Sequence, residues 1–495
     1  MSGTIQDALY TALSSLDVSQ QQINVISNNI ANASTPGYVQ EDQPTAELIS
    51  GGVGAGVLAE PLQRLTNAAA AATANQAAGA QAYSNEMVNI LTNYDQAVGQ
   101  ASSSSSLPST VSAFSSQLTT LSASPNDATA QSEAETAAQN VVDTFHSLDS
   151  AVDTARQQAD QGIASGVASV NATLNQLAQN QTALKQAAAG GGSIASFQDT
   201  QDQLIASLSK ELPVKVFQSG NNSIIVTTDQ GTTLYDGQVH QLSFTPTPNI
   251  PSNMRVNPDT TLGQTGGLGT VTVDGQPLEM SQTGNIAADL QLRDVTLPGF
   301  SDQLDSLAGN LIQAFQTADP TVSAANPTSL FTSGGAAVSS TAPAPAAGLA
   351  ASIAVNALVD PTQGGNPALI QSGVNGTPNS STAANNSTIL GFIQALQTPQ
   401  TYPSTTGLPT SMTISDAASQ VAGLQQSTLS NWTSLNTDRT TQAQTATTAL
   451  SSATGVSVDD QMQRMLIIQN TYAASAQVIQ AASTMLSQLI QAVQF

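Results

Sequence analysis

Two apolar seams with heptad spacing, one at each end of the chain, constrain its fold more than any other feature. From Ile5, apolar or small residues recur at Leu9, Ala12, Leu16, Ser19, Ile23, Ile26 and Ile30. The steps alternate four and three, as in a helix that packs in coiled-coil fashion. Thr4 followed by Asp7 reads as a capping start. Asn32 to Gly37 stops the helix, because Pro36 disfavours helical geometry at Thr35 and Gly37 permits a turn. At the other end, beyond Gly455, Ser457 and Asp460 read as a capping box. A second seam then runs Val458, Met462, Met465, Tyr472, Ala476, Ile479, Leu486, Ile490 and Val493, with polar Gln469 and Ser483 at two of its positions. At about 1.5 Å per residue the two helices reach roughly 40 and 50 Å. Seams at opposite ends of a chain most simply pair with each other; the alternative is two helices docked separately in an ordinary core. Leu466, Ile467, Ile468 and Leu489 lie off the second seam, so one partner helix leaves them uncovered. That extra apolar face favours packing against further subunits.

Between the ends, helical patterns cover Ala68–Gln100 and Gln131–Ala189. The second carries a seam at Ala138, Val141, Phe145, Leu148, Val152, Ala155 and Ala159 that resumes at Ile163, Val167, Val170, Leu174, Leu177, Leu184 and Ala188. Two consecutive steps of four, 159–163–167, make a stutter. Phe197–Leu212 is another predicted helix. From Pro213 the period changes to two, with short strands around Val214, Val216, 224–228, 232–235, 238–244 and 271–273. Gly220-Asn221, Asp229-Gln230-Gly231, Asp236-Gly237 and Asp274-Gly275 supply the hairpin signals between them. Helix returns at Ser301–Thr317, Ile389–Leu396 and Ser415–Leu450, and residues 320–385 are rich in Ala, Pro, Ser, Gly and Asn.

The composition excludes several kinds of chemistry. Only 8% of residues are charged and 4% aromatic, against about 25% charged in ordinary soluble domains. Small uncharged side chains cost little to desolvate or order, which suits surfaces pressed against copies of themselves. The net charge is −24, from 9 basic and 33 acidic residues, with no run of Lys or Arg. Nucleic acid is therefore not an expected partner. No stretch approaches the roughly 18 apolar residues of a membrane span, so no membrane insertion is expected. There is no cysteine, which removes disulfides and thiolate catalysis. His146 and His240 lie in different segments without metal-ligand spacing, and no carboxylate pair stands out. Asp229 and Asp236 fit hairpin turns better than calcium loops, and Gly51-Gly52 lacks the rest of a phosphate loop. No catalytic, cofactor-binding or metal-binding residue is predicted, and no cofactor; the chain does not read as an enzyme.

The segment Ile26-Ser27-Asn28-Asn29-Ile30-Ala31-Asn32-Ala33-Ser34-Thr35-Pro36-Gly37-Tyr38 closely resembles the N-terminal signature of flagellar rod, hook and hook-associated proteins. Its motif residues are Asn28, Asn29, Asn32, Thr35, Pro36, Gly37 and Tyr38. The run Met465–Leu489, with Gln469, Tyr472, Ala476, Val478 and Ile479, is similar to the closing helix of that family. Phe114–Phe145 and Asp199–Val216 are similar to the helical domain of its hook-associated members, whereas hook and rod members usually pass from the Pro-Gly turn into β structure. The likeness covers roughly residues 1–240, 285–318 and 415 to the end, and is faint over 320–410. One departure is Val39-Gln40-Glu41, where members often carry a basic residue.

The resemblance implies a secreted structural subunit, exported by the flagellar type III apparatus without a cleavable signal peptide. Such a subunit joins the hook to the filament by helical self-assembly. Its implied partners are copies of itself, the hook protein, a second hook–filament junction protein, and an export chaperone at the C-terminal helix. The expected assembly interface comprises Leu9, Leu16, Ile23, Ile26, Ile30, Met462, Met465, Tyr472, Ile479, Leu486 and Ile490. A hook or distal-rod subunit and a Ser/Thr-rich surface adhesin are the competing readings. A strand-dominated 80–210 region would favour the first of these.

The predicted fold is mainly α with a smaller β-rich part, its N- and C-terminal helices paired in a coiled-coil-like bundle within an elongated multidomain subunit. Its expected divisions are 1–60 with 451–495 as a terminal coiled-coil assembly domain, and 61–212 with 299–318 and 386–450 as a helical rod domain. Residues 213–298 form a β-rich domain and 319–385 a low-complexity, loop-like segment.

Overall fold

A computed structural model describes residues 2–50, 53–99, 103–338, 346–378 and 385–493. Gly51-Gly52, Gln100, parts of 319–385 and the side chains of Thr4 and Val493 lie outside the described residues. Helix α1 (Ser2–Asn32) begins ahead of the Thr4–Asp7 start and ends where the Asn-Pro-Gly turn predicts. Four strands follow, β1 (Glu41–Asp42), β2 (Thr45–Ser50), β3 (Val53–Ala59) and β4 (Gln63–Arg64). Helices α2 (Ala68–Val98), α3 (Leu107–Ala123), α4 (Ala128–Ala189) and α5 (Ala195–Glu211) come next. Short strands β5 (Val214–Gln218), β6 (Ile224–Thr228), β7 (Thr233–Tyr235), β8 (Leu242–Ser243), β9 (Thr272–Val273) and β10 (Gln276–Pro277) lead to α6 (Asn285–Gln291). A π-type turn over 292–296 joins α6 to α7 (Leu297–Ala318). The segment rich in small residues holds β11 (Phe331–Ser333), α8 (Leu349–Ser352), β12 (Ile353–Val355) and α9 (Leu369–Ser372). Helix α10 (Ser387–Gln397), strands β13 (Gln400–Thr401) and β14 (Ser411–Met412), and helices α11 (Ile414–Thr454) and α12 (Val458–Val493) complete the chain. The fold is mainly helical, with long N- and C-terminal helices and a smaller strand part. No helix among the described residues is long and apolar enough to cross a membrane.

The chain divides into two compact units. The first comprises residues 1–80, 170–241 and 439–495. In it α1 packs along α12, and the antiparallel β2–β3 hairpin lies on α1. The hairpin approaches so closely that the Val57 N–H donates to Ser14 Oγ at 3.1 Å. A Cβ at Gly56 would meet the same oxygen at 2.4 Å, so this position requires glycine. Strands β5, β6 and β7 form an antiparallel sheet in that order. Asn221 and Asn222 take left-handed backbone at the turn between β5 and β6, as the Gly-Asn signal predicts.

The second unit comprises residues 81–169 and 242–438 and holds one continuous apolar core. Its α4 seam is buried at every position from Ala138 to Val167, the stutter included. Phe315 stands at the centre of the core, 4.9 Å from Phe392, 5.1 Å from Phe331 and 5.7 Å from Phe114 between ring centroids. Such aromatic clusters combine large buried area with favourable ring geometry. The unit's three basic side chains, Arg156, Arg255 and Arg293, are all buried. Arg293 pairs with Asp160 at 2.7 Å and Asp294 at 2.6 Å, and lies over the Phe244 ring. Arg255 pairs with Asp302 at 2.6 Å.

Carboxylates also fasten the segment 319–378. Asp319 accepts from Thr321, from Ser329 Oγ at 2.9 Å and from the Val374 N–H at 3.1 Å. Asp305 accepts the N–H groups of Gly348 and Ala350, the first turn of α8.

Candidate assembly interface

The α1–α12 pair is a heptad seam whose register follows from its buried residues. Along α1 every predicted seam residue from Ile5 to Ile30 is buried or half-buried. Leu9, Leu16, Ile23 and Ile30 are half-buried, and Ile26 is buried. Along α12 the covered positions are Gln461, Met465, Ile468, Tyr472, Ser475, Ile479 and Ala482, which again step by four and three. Met465, Tyr472 and Ile479 lie on this seam as predicted. The alternate positions differ by one residue: Met462 is exposed, and Gln461, Ile468, Ser475 and Ala482 take the places read as 462, 469, 476 and 483. The shift exchanges Gln469 for Ile468 and Ser483 for Ala482, which removes both polar interruptions. Leu486 and Ile490 are exposed in the protomer.

Two polar contacts hold this register. Ser475 Oγ donates to Ser15 Oγ at 3.0 Å, and Asn29 Nδ2 donates to Gln461 Oε1 at 3.1 Å. Polar partners at seam positions fix helix alignment because any other register leaves them unpaired.

Asn29 also organises the motif around it. It is fully buried, and its Nδ2 donates to the Glu41 carbonyl at 2.8 Å. Its Oδ1 accepts from the Tyr38 hydroxyl at 2.9 Å and from the Glu41 N–H at 3.0 Å. One side chain thus joins the end of α1, strand β1 and α12. Burial, with Glu41 and Asp199 nearby, raises the Tyr38 phenol well above its ordinary value and keeps it a donor. Asn32 is half-buried and accepts from Thr35 Oγ1, while Asn28, Thr35, Pro36 and Gly37 are exposed. The Pro36 carbonyl accepts from Gln203 Nε2 at 3.2 Å. A Cβ on Gly37, whose φ is +78°, would meet that amide at 2.7 Å.

The departure at Val39-Gln40-Glu41 acquires a physical reading here. Gln40 is buried, its N–H on the Thr454 carbonyl at 2.9 Å and its carbonyl receiving the Leu65 N–H at 2.8 Å. The cation beside the motif comes instead from Arg64, opposite Glu41 in the β1–β4 pair. Arg64 Nη2 lies 2.6 Å from Asp199 and 2.7 Å from Asp202. Burial raises the Glu41 and Asp199 carboxyls, and Arg64 opposes the shift in both. Asn29 was read in the sequence as a motif residue but its partners were not, and Arg64 and Gln461 were not singled out; partners as far apart as Asn29 and Gln461, 432 residues, leave no local pattern.

Along α12, Val458, Met462, Leu466, Ile467, Val478, Met485, Leu486, Leu489 and Ile490 are large apolar side chains left exposed. Ile467 is 65% exposed and Leu466 58%. The two histidines lie in separate places, each with its own contact. His146 Nε2 lies 2.8 Å from the Ile353 carbonyl, and His240 lies 3.4 Å from Asp236. No group of three or more metal-ligating side chains occurs among the described residues.

Comparison with known proteins agrees with this geometry in chain order. Residues 9–38 match the family model of the flagella basal body rod protein, and 449–492 match that of the flagellar basal body rod FlgEFG protein C-terminal. Between them, 91–321 match the flagellar hook-associated protein FlgK helical domain. The flagellar hook-associated protein 1 of Salmonella typhimurium is 28% identical over 320 residues, which cover 62% of this chain and 54% of that protein. Its counterpart in Escherichia coli K12 is 27% identical over 320 residues, 62% of this chain and 56% of that one. The chain thus spans about half the length of the curated relatives it matches. The hook junction protein FlgK of Burkholderia pseudomallei superposes with a TM-score of 0.44 at 21% identity, covering 53% of this chain and 47% of that structure. With rod-type sequence at both paired ends and a FlgK-type helical domain between them, the chain is similar to flagellar rod, hook and hook-associated proteins, and through that helical domain to the hook-associated ones.

Proposed function

We propose that this chain is a structural subunit of the bacterial flagellum that joins the hook to the filament by helical self-assembly. The observation that carries the reading is the FlgK-type helical domain at 91–321 set between rod-type ends that pair as α1 and α12. Its mechanism is packing. Leu9, Leu16, Ile23, Ile26, Ile30, Met465, Tyr472 and Ile479 hold the terminal pair together. Exposed Met462, Leu486 and Ile490 meet neighbouring copies. The assembly domain is then 1–60 with 451–495, followed by a helical rod domain (61–212, 299–318, 386–450), a β-rich domain (213–298) and the segment 319–385. The partners are further copies, the hook protein and a second junction protein. An export chaperone takes the apolar C-terminal helix before assembly. The location is the flagellum outside the cell, reached through the flagellar type III apparatus.

The test is deletion of the gene in its own motile strain, with electron microscopy of the cells and assay of flagellin in the medium. Hooks without filaments, with flagellin lost to the medium, are the expected result. Missing hooks would place the subunit lower, in the rod or hook. Intact filaments would sink the flagellar reading.

A further inference from the structure

In the second unit, one face of α4 presents Asp149, Asp153 and Arg156 to the loop 250–255. The carboxyls follow one helical turn apart, and Ser252 of the loop bonds to both. Its hydroxyl bonds to Asp149 and its backbone N–H to Asp153. Arg156 Nη1 donates to the Pro251 carbonyl at 3.1 Å and Nη2 to the Met254 carbonyl at 2.6 Å. Arg255 Nη1 donates back to the carbonyls of Ser252 and Met254. Ser252 is 3% exposed and Asp149 5%. Each carboxyl nevertheless keeps one buried oxygen, Oδ1, that no donor reaches. With both groups ionised, two like charges at i and i+4 repel, and two buried acceptors remain unsatisfied. A single proton relieves the repulsion and supplies a donor.

We propose that Asp149 and Asp153 hold one proton between them in the folded protein, and that this proton latches the 250–255 loop to α4. The charged and titratable groups around the pair are consistent with one retained proton. On α4 itself, His146 and Arg156 favour ionised Asp149, and from the loop Arg255 favours ionised Asp153. From α2, Tyr94 senses the Asp149 charge, and from α7, Asp305 senses both Asp149 and Asp302. Burial outweighs the cations, raising Asp149 and pushing Asp153 up to about 7. Arg156, lowered to about 10, stays charged throughout the range concerned. Because the folded value lies above the unfolded one, the stabilisation is complete below about pH 4 and lost as pH rises to about 7. Loop opening therefore increases about tenfold per pH unit across that window and levels off above it.

The test is hydrogen exchange on the full chain from about pH 5 to about pH 8, corrected for intrinsic exchange. It follows the amides of Met254, Arg255 and Thr265, whose hydrogen bonds close the loop. The wild type is expected to show the tenfold steps. Asp153→Asn, which supplies a permanent donor, is expected to show none, and Asp305→Asn is expected to keep them. A wild-type loop with flat protection, or Asp153→Asn protein with an unchanged slope, would overturn the proposal. Should Asp153→Asn fail to fold, the infrared band of a protonated carboxylic acid decides. Asp305→Asn protein must retain that band at neutral pH and lose it by about pH 9; its absence at neutral pH overturns the latch.

Discussion

The α4 seam of the second unit and the α1–α12 seam of the first follow the same heptad rule but bury different residues. In the second unit the seam carries Phe145, Leu148 and Val152, and adjoining helices and strands cover it on every side. In the first unit the buried positions include Ser19, Gln461, Ser475 and Ala482; Met465, Ile468, Tyr472 and Ile479 are only half-buried, and several further large apolar residues of α12 are exposed. One region has the composition of a self-sufficient core. The other covers its apolar seam only partly, leaves further apolar residues exposed, and uses polar contacts to set its register.

Substitutions sort the two regions by size of effect. Ile479→Asp places a charge in the terminal seam. It is expected to abolish incorporation into flagella while the unfolding midpoint of the second unit stays within about 0.5 kcal/mol of wild type, as for distant substitutions. Swimming assays and denaturant titration of the purified chain check the two halves, and normal motility would break the comparison. Phe315→Ala empties the centre of the aromatic cluster and is expected to cost the second unit about 3–5 kcal/mol, read from urea unfolding. A loss below about 1 kcal/mol would mean that the core is not centred there.

Titration sharpens the contrast. Burial pushes Asp305 up to about 7 in the folded unit, so its contribution is present in full at acid pH and lost as pH rises. The second unit is expected to lose about 1.4 kcal/mol per pH unit between about pH 5 and pH 7 from this group. Asp305→Asn should remove that share of the slope in thermal melts.

Asn29→Ala leaves the Tyr38 hydroxyl and the Glu41 N–H without their acceptor, at an expected cost of about 1–3 kcal/mol to the first unit. Met462→Ala, on the exposed side of the same helix pair, should stay within about 0.5 kcal/mol for the isolated chain. Equal effects from these two would mean that the seam is misplaced.

Much of this was legible because repeated burial leaves a periodic trace. The α4 helix, its stutter at Ala159–Ile163–Val167, the helix-ending turn at Pro36-Gly37 and the hairpin at Gly220-Asn221 all follow from local rules. The β2–β3 hairpin was not legible. Glycines interrupt β3, and Leu48, Ile49 and Leu58 point to solvent, so the alternation that reveals a half-buried strand is absent. Helix α12 was read one residue out of phase at alternate positions, because its seam buries Gln461 and Ser475 while Met462 lies exposed beside it. In 319–378 the sequence shows only a composition rich in small residues, Pro and Asn. The reach of Asp319 to the Val374 N–H, 55 residues on, is not visible there.

The burial of Arg156, Arg255 and Arg293 has a colloidal consequence. These are the only Lys or Arg residues in 81–169 and 242–438, so the formal charge that this unit turns toward water is entirely negative. Two such surfaces brought side by side repel over about 8 Å at physiological ionic strength. Where copies of this chain pack side by side, that repulsion acts as a spacing force between these units, one that added salt weakens.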